Sequence, residues 1–189
     1  MLKKKVKSYK EQDPLKVQAY LDQIKDIQKE DLVYIDETGV APNDAFEMDV
    51  WTKKGNKIKI AMQGKRGKRQ NIIAAKTHGG ITSQMIFEGS CNLKVFEEYV
   101  DKILCPTLRK GQAVIMDNAS FHKSNRIKEL IEGCGCKLIY LAPYSPEHNP
   151  IEKYWAVLKK MIKKIFKKTN DITNTITEAL DLTRNFGVS

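Results

Sequence analysis

The chain has 189 residues, enough for one domain with a sizeable core. Its hydrophobic content of 41% excludes a disordered chain, and the absence of any 18-residue apolar run excludes a membrane-spanning helix. Lys and Arg number 33 against 23 Asp and Glu, and the resulting net charge of +10 favours an anionic partner, nucleic acid foremost.

From the N-terminus, Lys3, Lys4, Lys5 and Lys7 are not followed by the apolar run of a secretory signal. "YKEQDPLKVQAYLDQIKDIQKED" has helical spacing. Val17, Tyr20, Leu21, Ile24 and Ile27 share one face and predict a helix over 14–28. "LVYID" reads as a buried strand ending in Asp36 and Glu37. "FEMDVWTKKGNKIKIAMQGKRGKRQ", with Gly55, Gly64, Gly67 and many cations, reads as a loop or short hairpin region. "NIIAAKTHGGITSQMIF" predicts two strands around Gly79-Gly80. "NLKVFEEYVDKILCPTL" predicts an amphipathic helix with Leu93, Phe96, Tyr99, Val100 and Ile103 inward, stopped by Gly111. "AVIMD" is a second apolar strand ending in an acid, Asp117. "SNRIKELIEGCG" is a helix closed by glycine, and "KLIYL" a further strand. The proline-rich stretch "APYSPEHNPIEKYW" then leads into a long helix over 150–167, and "NDITNTITEALDLTRNF" reads as one more short helix. Strands first, then helices alternating with strands, predict an α/β domain with a mixed sheet. Of the cysteines Cys91, Cys105, Cys134 and Cys136, only the C-x-C pair is close, and nothing completes a zinc site. Reduced thiols in a cytoplasm are the expectation.

The chemistry gathers at three acids. In open α/β sheets, sites form at the carboxyl ends of strands, so Asp36 and Asp117 are expected to converge there. Glu152 would enter from the first turn of the long helix. Three carboxylates together repel one another unless a cation neutralises them, and hard oxygen donors select Mg²⁺ or Mn²⁺. Two such ions about 4 Å apart can activate a water or hydroxyl and stabilise the leaving oxygen of a phosphodiester. The basic surface would then neutralise a nucleic-acid backbone. Pro143, Pro146 and Pro150 stiffen the turn before Glu152, with Asn149 expected as N-cap, Pro150 first and Glu152 third in the helix. The same N-P-x-E pattern suits a glutamate that merely caps its own helix. Ile151, Trp155, Leu158, Ile162 and Ile165 form the helix's apolar stripe. Lys159 and Lys163 lie over the same face as Glu152, which fits a helix facing phosphates and equally a solvated lysine face.

Together "VYIDETG", "VIMDNASFH" and "YLAPYSPEHNPIEKYW" resemble the catalytic core of the mariner-related superfamily of DDE transposases, in its bacterial insertion-sequence branch. The family patterns are D-E-x-G, D-N-A-x-x-H and P-x-Y-S-P-x-x-N-P-I-E. The 34 residues between Asp117 and Glu152 match the branch spacing, and the resemblance runs from about Tyr9 through Lys168. It implies a ribonuclease H-like fold: a mixed five-stranded sheet flanked by helices, with a linker helix over 1–30 and the catalytic domain over 31–189. It implies DNA strand cleavage and strand transfer dependent on Mg²⁺ or Mn²⁺, with two ions and no covalent enzyme–DNA intermediate. Asp36, Asp117 and Glu152 become the metal ligands. Glu37, Asn118 and His122 become supporting or DNA-contacting residues. The "GKRGKR" run, with Lys65, Arg66, Lys68 and Arg69, matches a basic family segment that would touch phosphates, joined by Lys159 and Lys163. The family's N-terminal helix-turn-helix domains have no counterpart in this chain. The expected partners are therefore DNA, a helix-turn-helix half encoded separately or by an upstream frame, and a second copy, in a bacterial cytoplasm at the nucleoid. The competing expectation is a truncated DNA-binding remnant without catalysis.

Overall fold

The computed structural model describes residues 9–42, 68–169 and 171–187. The elements are helix α1 (Pro14–Ile24), strands β1 (Leu32–Val40), β2 (Gln70–Thr77) and β3 (Gly80–Glu88), helix α2 (Leu93–Tyr99), strand β4 (Ala113–Met116), helix α3 (Asn125–Gly133), strand β5 (Lys137–Tyr140), and helices α4 (Ile151–Thr169) and α5 (Ile172–Thr183). The irregular segment expected before β2 falls largely outside the described residues, as do Lys65 and Arg66.

Side-chain caps start the helices where the sequence changes character. Asp13 accepts from the Leu15 N–H with Pro14 at the first helical position, Asn92 accepts from Val95, Ser124 from Arg126, and Asp171 from Thr173 and Asn174. The strands assemble in the order β3-β2-β1-β4-β5. β1 is antiparallel to β2, and β2 to β3, while β1–β4 and β4–β5 are parallel, so the sheet is mixed as expected.

Alternation along the strands sorts the core into layers. Val40 of β1, Ile72 and Ala74 of β2 and Ile81 of β3 pack under α4 and α5. Val33, Ile35, Ile73, Ala75, Val114 and Met116 pack under α2 and α3. Ala113, Ile115 and Ile139, on the α4 side of the sheet, are covered by Tyr20, Val17, Leu21 and Ile24 of α1. The α1 stripe is thus the one read from the sequence, Ile27 included, although the helix ends at Ile24.

Three expectations are corrected. β1 does not end at Asp36: it continues to Val40, because the antiparallel pairing with β2 outlasts the parallel pairing with β4. Leu93 is 42% exposed, since it opens α2 at the rim; the inward row is Phe96, Tyr99, Val100 and Leu104. That helix also does not run to Gly111. It widens into a π turn at Val100–Leu104 and closes as a 3₁₀ turn at Cys105–Thr107. Pro106 lacks the N–H that would continue an α-helix, and its ring crowds the preceding turn. Gly111, at φ +93°, instead makes the tight turn into β4.

Candidate active site

The parallel register sets Tyr34 of β1 beside Ile115 of β4. Asp36 and Asp117 each lie two residues further on, so the two acids leave the paired strands side by side. Glu152, the second residue of α4, completes the lining of a cleft of about 570 Å³ with Asp36, Asp117, Asn118, Leu141 to Pro146, Asn149 and Tyr9. The sequence-based convergence of the three acids on one cleft is what the fold produces. Among the described residues, however, no three His, Cys, Asp or Glu side chains are gathered tightly enough to hold a metal ion as they stand. Each aspartate is instead drawn toward its own protein partners.

Asp36 faces α4. Its Oδ2 accepts from the Trp155 indole N–H at 3.1 Å and from the Asn149 amide at 3.4 Å, and its Oδ1 accepts from the Glu37 backbone N–H at 2.9 Å. Burial nevertheless pushes its pKa up to about 7, with Glu152 and then Glu37 adding repulsion; the bonds from Glu37 N–H and Trp155 only partly offset this. The carboxylate stands in want of a cation.

Strand alternation turns Glu37 to the opposite face, where it meets His122. His122 is fully buried in the short turn Ser120–His122, against the rings of Phe96 and Phe121 at 4.2 and 4.4 Å. Its Nδ1 donates to Asp117 Oδ1 at 2.5 Å, and its Nε2 lies 3.5 Å from Glu37 Oε2, near enough for an ion pair. Tyr140 donates its hydroxyl to the His122 carbonyl at 2.8 Å and fixes the turn. Burial alone would lower the imidazole pKa, but the bond to Asp117 and the nearby Glu37 carboxylate outweigh it and raise it to about 9. Asp117 shows the reciprocal effect. Its own burial is outweighed by His122 and by the Ala119 N–H at 2.9 Å, so it stays below the usual carboxylate range. Asn118 donates its amide to the Leu141 carbonyl and clips the end of β4 to the end of β5.

Asn149 was expected to cap α4, and it does not. Its amide nitrogen goes to Asp36, and its buried Oδ1 has no hydrogen-bond partner among the described residues. An N-cap contributes about 1 kcal/mol. Full burial of Ile151, Tyr154, Leu158 and Ile162 contributes about 1.5–3 kcal/mol for each apolar side chain. Packing and the proline turn therefore set where α4 begins, which leaves the Asn149 side chain to serve the cleft. Trp155 was read only as part of the apolar stripe. The signal was present: a buried indole N–H needs an acceptor, and Trp155 lies one turn from Glu152.

The described basic residues of the expected set lie elsewhere. Lys68 pairs with Glu88 at 2.9 Å, and the Arg69 Nε donates to Asn71 at 3.3 Å. Both line a second, shallow cleft with Gly89, Ser90 and Cys91. A Cβ on Gly39 would stand 2.0 Å from the Arg69 guanidinium, so a side chain there would make the arginine swing aside. Lys159 and Lys163 follow Glu152 along α4 at roughly 10 and 16 Å. Neither lines the acidic cleft. All four cysteines are free thiols, and no described helix is long and apolar enough to cross a membrane.

The family model described as DDE superfamily endonuclease matches residues 31–173. No curated protein matches the chain in sequence. Among solved structures, the chain is similar to the Mos1 transposase paired-end complex with left transposon end, at 13% identity and TM-score 0.72, over 100% of this chain and 61% of that one. It is similar to the Mos1 mariner paired end complex with Mn, at 13% identity and TM-score 0.62, over 97% of this chain and 64% of that one. It is also similar to the catalytic core domain of BIV integrase, at 14% identity and TM-score 0.51, over 80% and 81% of the two chains. The chain thus spans about three fifths of the length of the Mos1 chains it matches. At such identities the likeness is one of fold, and the fold is ribonuclease H-like.

Proposed function

The chain belongs to the DDE superfamily endonuclease family, and from that premise we propose that it cleaves and joins DNA strands with Asp36, Asp117 and Glu152 as its catalytic carboxylates. The observation that carries the reading is the single cleft holding all three, one of them pushed up to about 7 by burial and by the other acids. The donor set suits a hard divalent cation: carboxylate oxygens, a repulsion that a positive charge would relieve, and the buried Asn149 Oδ1, which has no partner among the described residues. Mg²⁺ or Mn²⁺, in two ions, would be held by Asp36, Asp117 and Glu152. When bound, such ions activate an attacking oxygen and stabilise a leaving one.

The chain's own residues orient this set. Trp155 and Asn149 aim Asp36 Oδ2, while His122, braced by Glu37, aims Asp117. In this reading the attacking oxygen comes from water or a DNA end; the Ser145 hydroxyl in the cleft is occupied with the Pro143 carbonyl and the Gln12 amide. Water oxygen bonds to phosphorus, the bond from phosphorus to O3′ breaks, and O3′ takes a proton to leave a 3′-hydroxyl. The oxygen of that hydroxyl then bonds to a phosphorus of target DNA, the bond from that phosphorus to its own O3′ breaks, and the hydroxyl's proton passes to the departing O3′.

The organisation we infer is a linker helix over 1–30 followed by the catalytic domain over 31–189. The element is an insertion sequence of a bacterial nucleoid. DNA is the substrate, a helix-turn-helix half supplies end recognition, and a second copy of the chain pairs the ends. Lys65, Arg66, Lys68, Arg69, Lys159 and Lys163 supply phosphate contacts, in line with the net charge of +10.

The test is a nicking assay with Mg²⁺ or Mn²⁺ on inverted-repeat DNA, with the helix-turn-helix half supplied. Wild type should leave a 3′-hydroxyl, while Asp117→Asn and Glu152→Gln should bind DNA without cutting it. Cleavage by either variant at the wild-type rate sinks the assignment. Binding without any cleavage by wild type favours the non-catalytic remnant.

A further inference from the structure

At the mouth of the acidic cleft stand two large aromatic residues that packing does not require. Tyr9 and Tyr144 are 54% and 56% exposed, and both line the cleft that holds Asp36, Asp117 and Glu152. Their ring centroids are 6.2 Å apart, with the planes tilted by 43°. Tyr144 also has φ +57°, a left-handed backbone conformation that a bulky side chain rarely adopts. The surroundings impose it. The Gln12 amide donates to the Tyr144 carbonyl at 3.4 Å, to Ser145 Oγ at 2.9 Å and to Glu147, and Ser145 donates to the Pro143 carbonyl at 3.1 Å. The strain does not serve burial, since the ring ends more than half exposed. It serves direction, turning the ring outward over the cleft beside the apolar wall of Leu141, Ala142 and Pro143.

We propose that Tyr9 and Tyr144 form a stacking site for one unpaired nucleobase of the DNA strand that adjoins the reacting phosphate. The proposal rests on reading the cleft as a DNA-cleaving site. A strand whose phosphate lies among the three acids carries its neighbouring base to the rim, where the open faces of the two rings lie. Every base has a π face, so the site would grip without reading sequence. Stacking on an aromatic ring is worth roughly five- to a hundredfold in affinity per base. An unstacked base would also open the strand at the bond to be cut.

The experiment uses the 189-residue chain in EDTA, so that binding is read without cleavage. The probe is a short gapped duplex with one unpaired 2-aminopurine, compared with the same duplex carrying an abasic residue there. Wild type should quench the fluorophore and bind the abasic duplex about tenfold more weakly. Tyr9→Ala and Tyr144→Ala should lose the quench and that preference, while Tyr144→Trp should keep both. Tyr144→Gly should melt no lower than Tyr144→Ala, because glycine adopts this φ freely, yet should also lose the quench. Asp117→Asn, defective in cleavage, should quench as wild type does. Quenching that survives both alanine variants overturns the proposal. So does an equal grip on the abasic duplex, or a dimer in sedimentation that buries the two rings. A wild type that cuts DNA but never quenches removes the stacking site and leaves the cleavage reading standing. A wild type that quenches through these tyrosines but never cuts does the reverse.

Discussion

Asp36, inside β1 where its pairing with β4 ends, and Asp117, just past the end of β4, stand side by side, yet their surroundings are opposite. Asp36 faces α4, where its partners are neutral donors, Trp155 and Asn149, and its nearest charges are the acids Glu152 and Glu37. Asp117 meets a fully buried imidazole that is itself braced by Glu37. One carboxylate is pushed up to about 7 and the other is held low. The same side chain in nearly equivalent strand positions thus takes two roles. Asp117 is kept charged and aimed by the protein. Asp36 is aimed but left electrostatically incomplete, so a cation gains most by binding next to it.

The largest effect expected from breaking this comparison comes from the acids themselves. Asp36→Asn and Asp117→Asn should each slow cleavage by on the order of a thousandfold or more, the loss of several kcal/mol of charge stabilisation. Their stabilities should diverge. Asp36→Asn removes a carboxylate that burial and like charges penalise, and should raise the melting temperature of the metal-free protein at pH 8. Asp117→Asn leaves His122 with half of its bracing and should lower it. Melting shifts of the same sign for both would erase the distinction drawn here.

Replacing the brace should cost less. His122→Gln keeps a hydrogen-bonding group beside Asp117 but removes the charge that holds it. Partners of this kind typically contribute ten- to a hundredfold to metal affinity or activity, and about that loss is expected in kcat with DNA affinity unchanged. Glu37→Gln, one step further from the cleft, should lie nearer the lower end. A His122→Gln protein that cleaves normally would make the histidine a packing residue of the Phe96–Phe121 cluster.

Much of this was legible in the sequence because it rests on local patterns. Short apolar runs such as "LVYID" and "AVIMD" suit strands, and the parallel register between those two strands brings their acids together. What was not legible depends on which neighbour competes for a side chain. The Asn149 pattern is that of a cap, and only the tertiary approach of β1 diverts its amide to Asp36. Trp155 sits on an apolar stripe whose periodicity says nothing of where its one N–H points. His122 as a bridge between Glu37 and Asp117 requires the two faces of β1 to be known, since Glu37 follows Asp36 immediately yet looks the other way.

Trp155→Phe sharpens the comparison from the Asp36 side. The indole bond lowers the Asp36 pKa, so its loss should raise that pKa further and shift the rise of cleavage with pH to higher pH. The expected loss at neutral pH is several-fold, recoverable at higher pH, with a stability cost of about 1 kcal/mol for one lost buried hydrogen bond. A uniform loss across pH would instead mean that Trp155 acts by packing alone.

The smallest effect is one of stability against pH without metal. Asp36 has a folded pKa near 7 against an ordinary 3.8, so folding binds its proton more tightly than the unfolded chain does. Its contribution is unpenalised below about pH 4, declines as pH rises, and is fully lost above about 7. His122, raised from 6.5 to about 9, acts in the same direction but later: its contribution is whole below 6.5 and is lost as pH passes 9. Asp117, whose pKa is lowered, matters only as pH falls below the ordinary carboxylate range, outside this window. Between pH 5 and 7 the decline in melting temperature therefore belongs chiefly to Asp36, and Asp36→Asn should flatten it while leaving the fall above pH 7 in place. Adding Mg²⁺ should recover more of the wild-type melting temperature at pH 8 than at pH 5.5, because a protonated Asp36 is a poor ligand. A melting profile that Asp36→Asn does not change, or a Mg²⁺ shift equal at both pH values, would mean that Asp36 is neither the strained group nor the one the cation relieves.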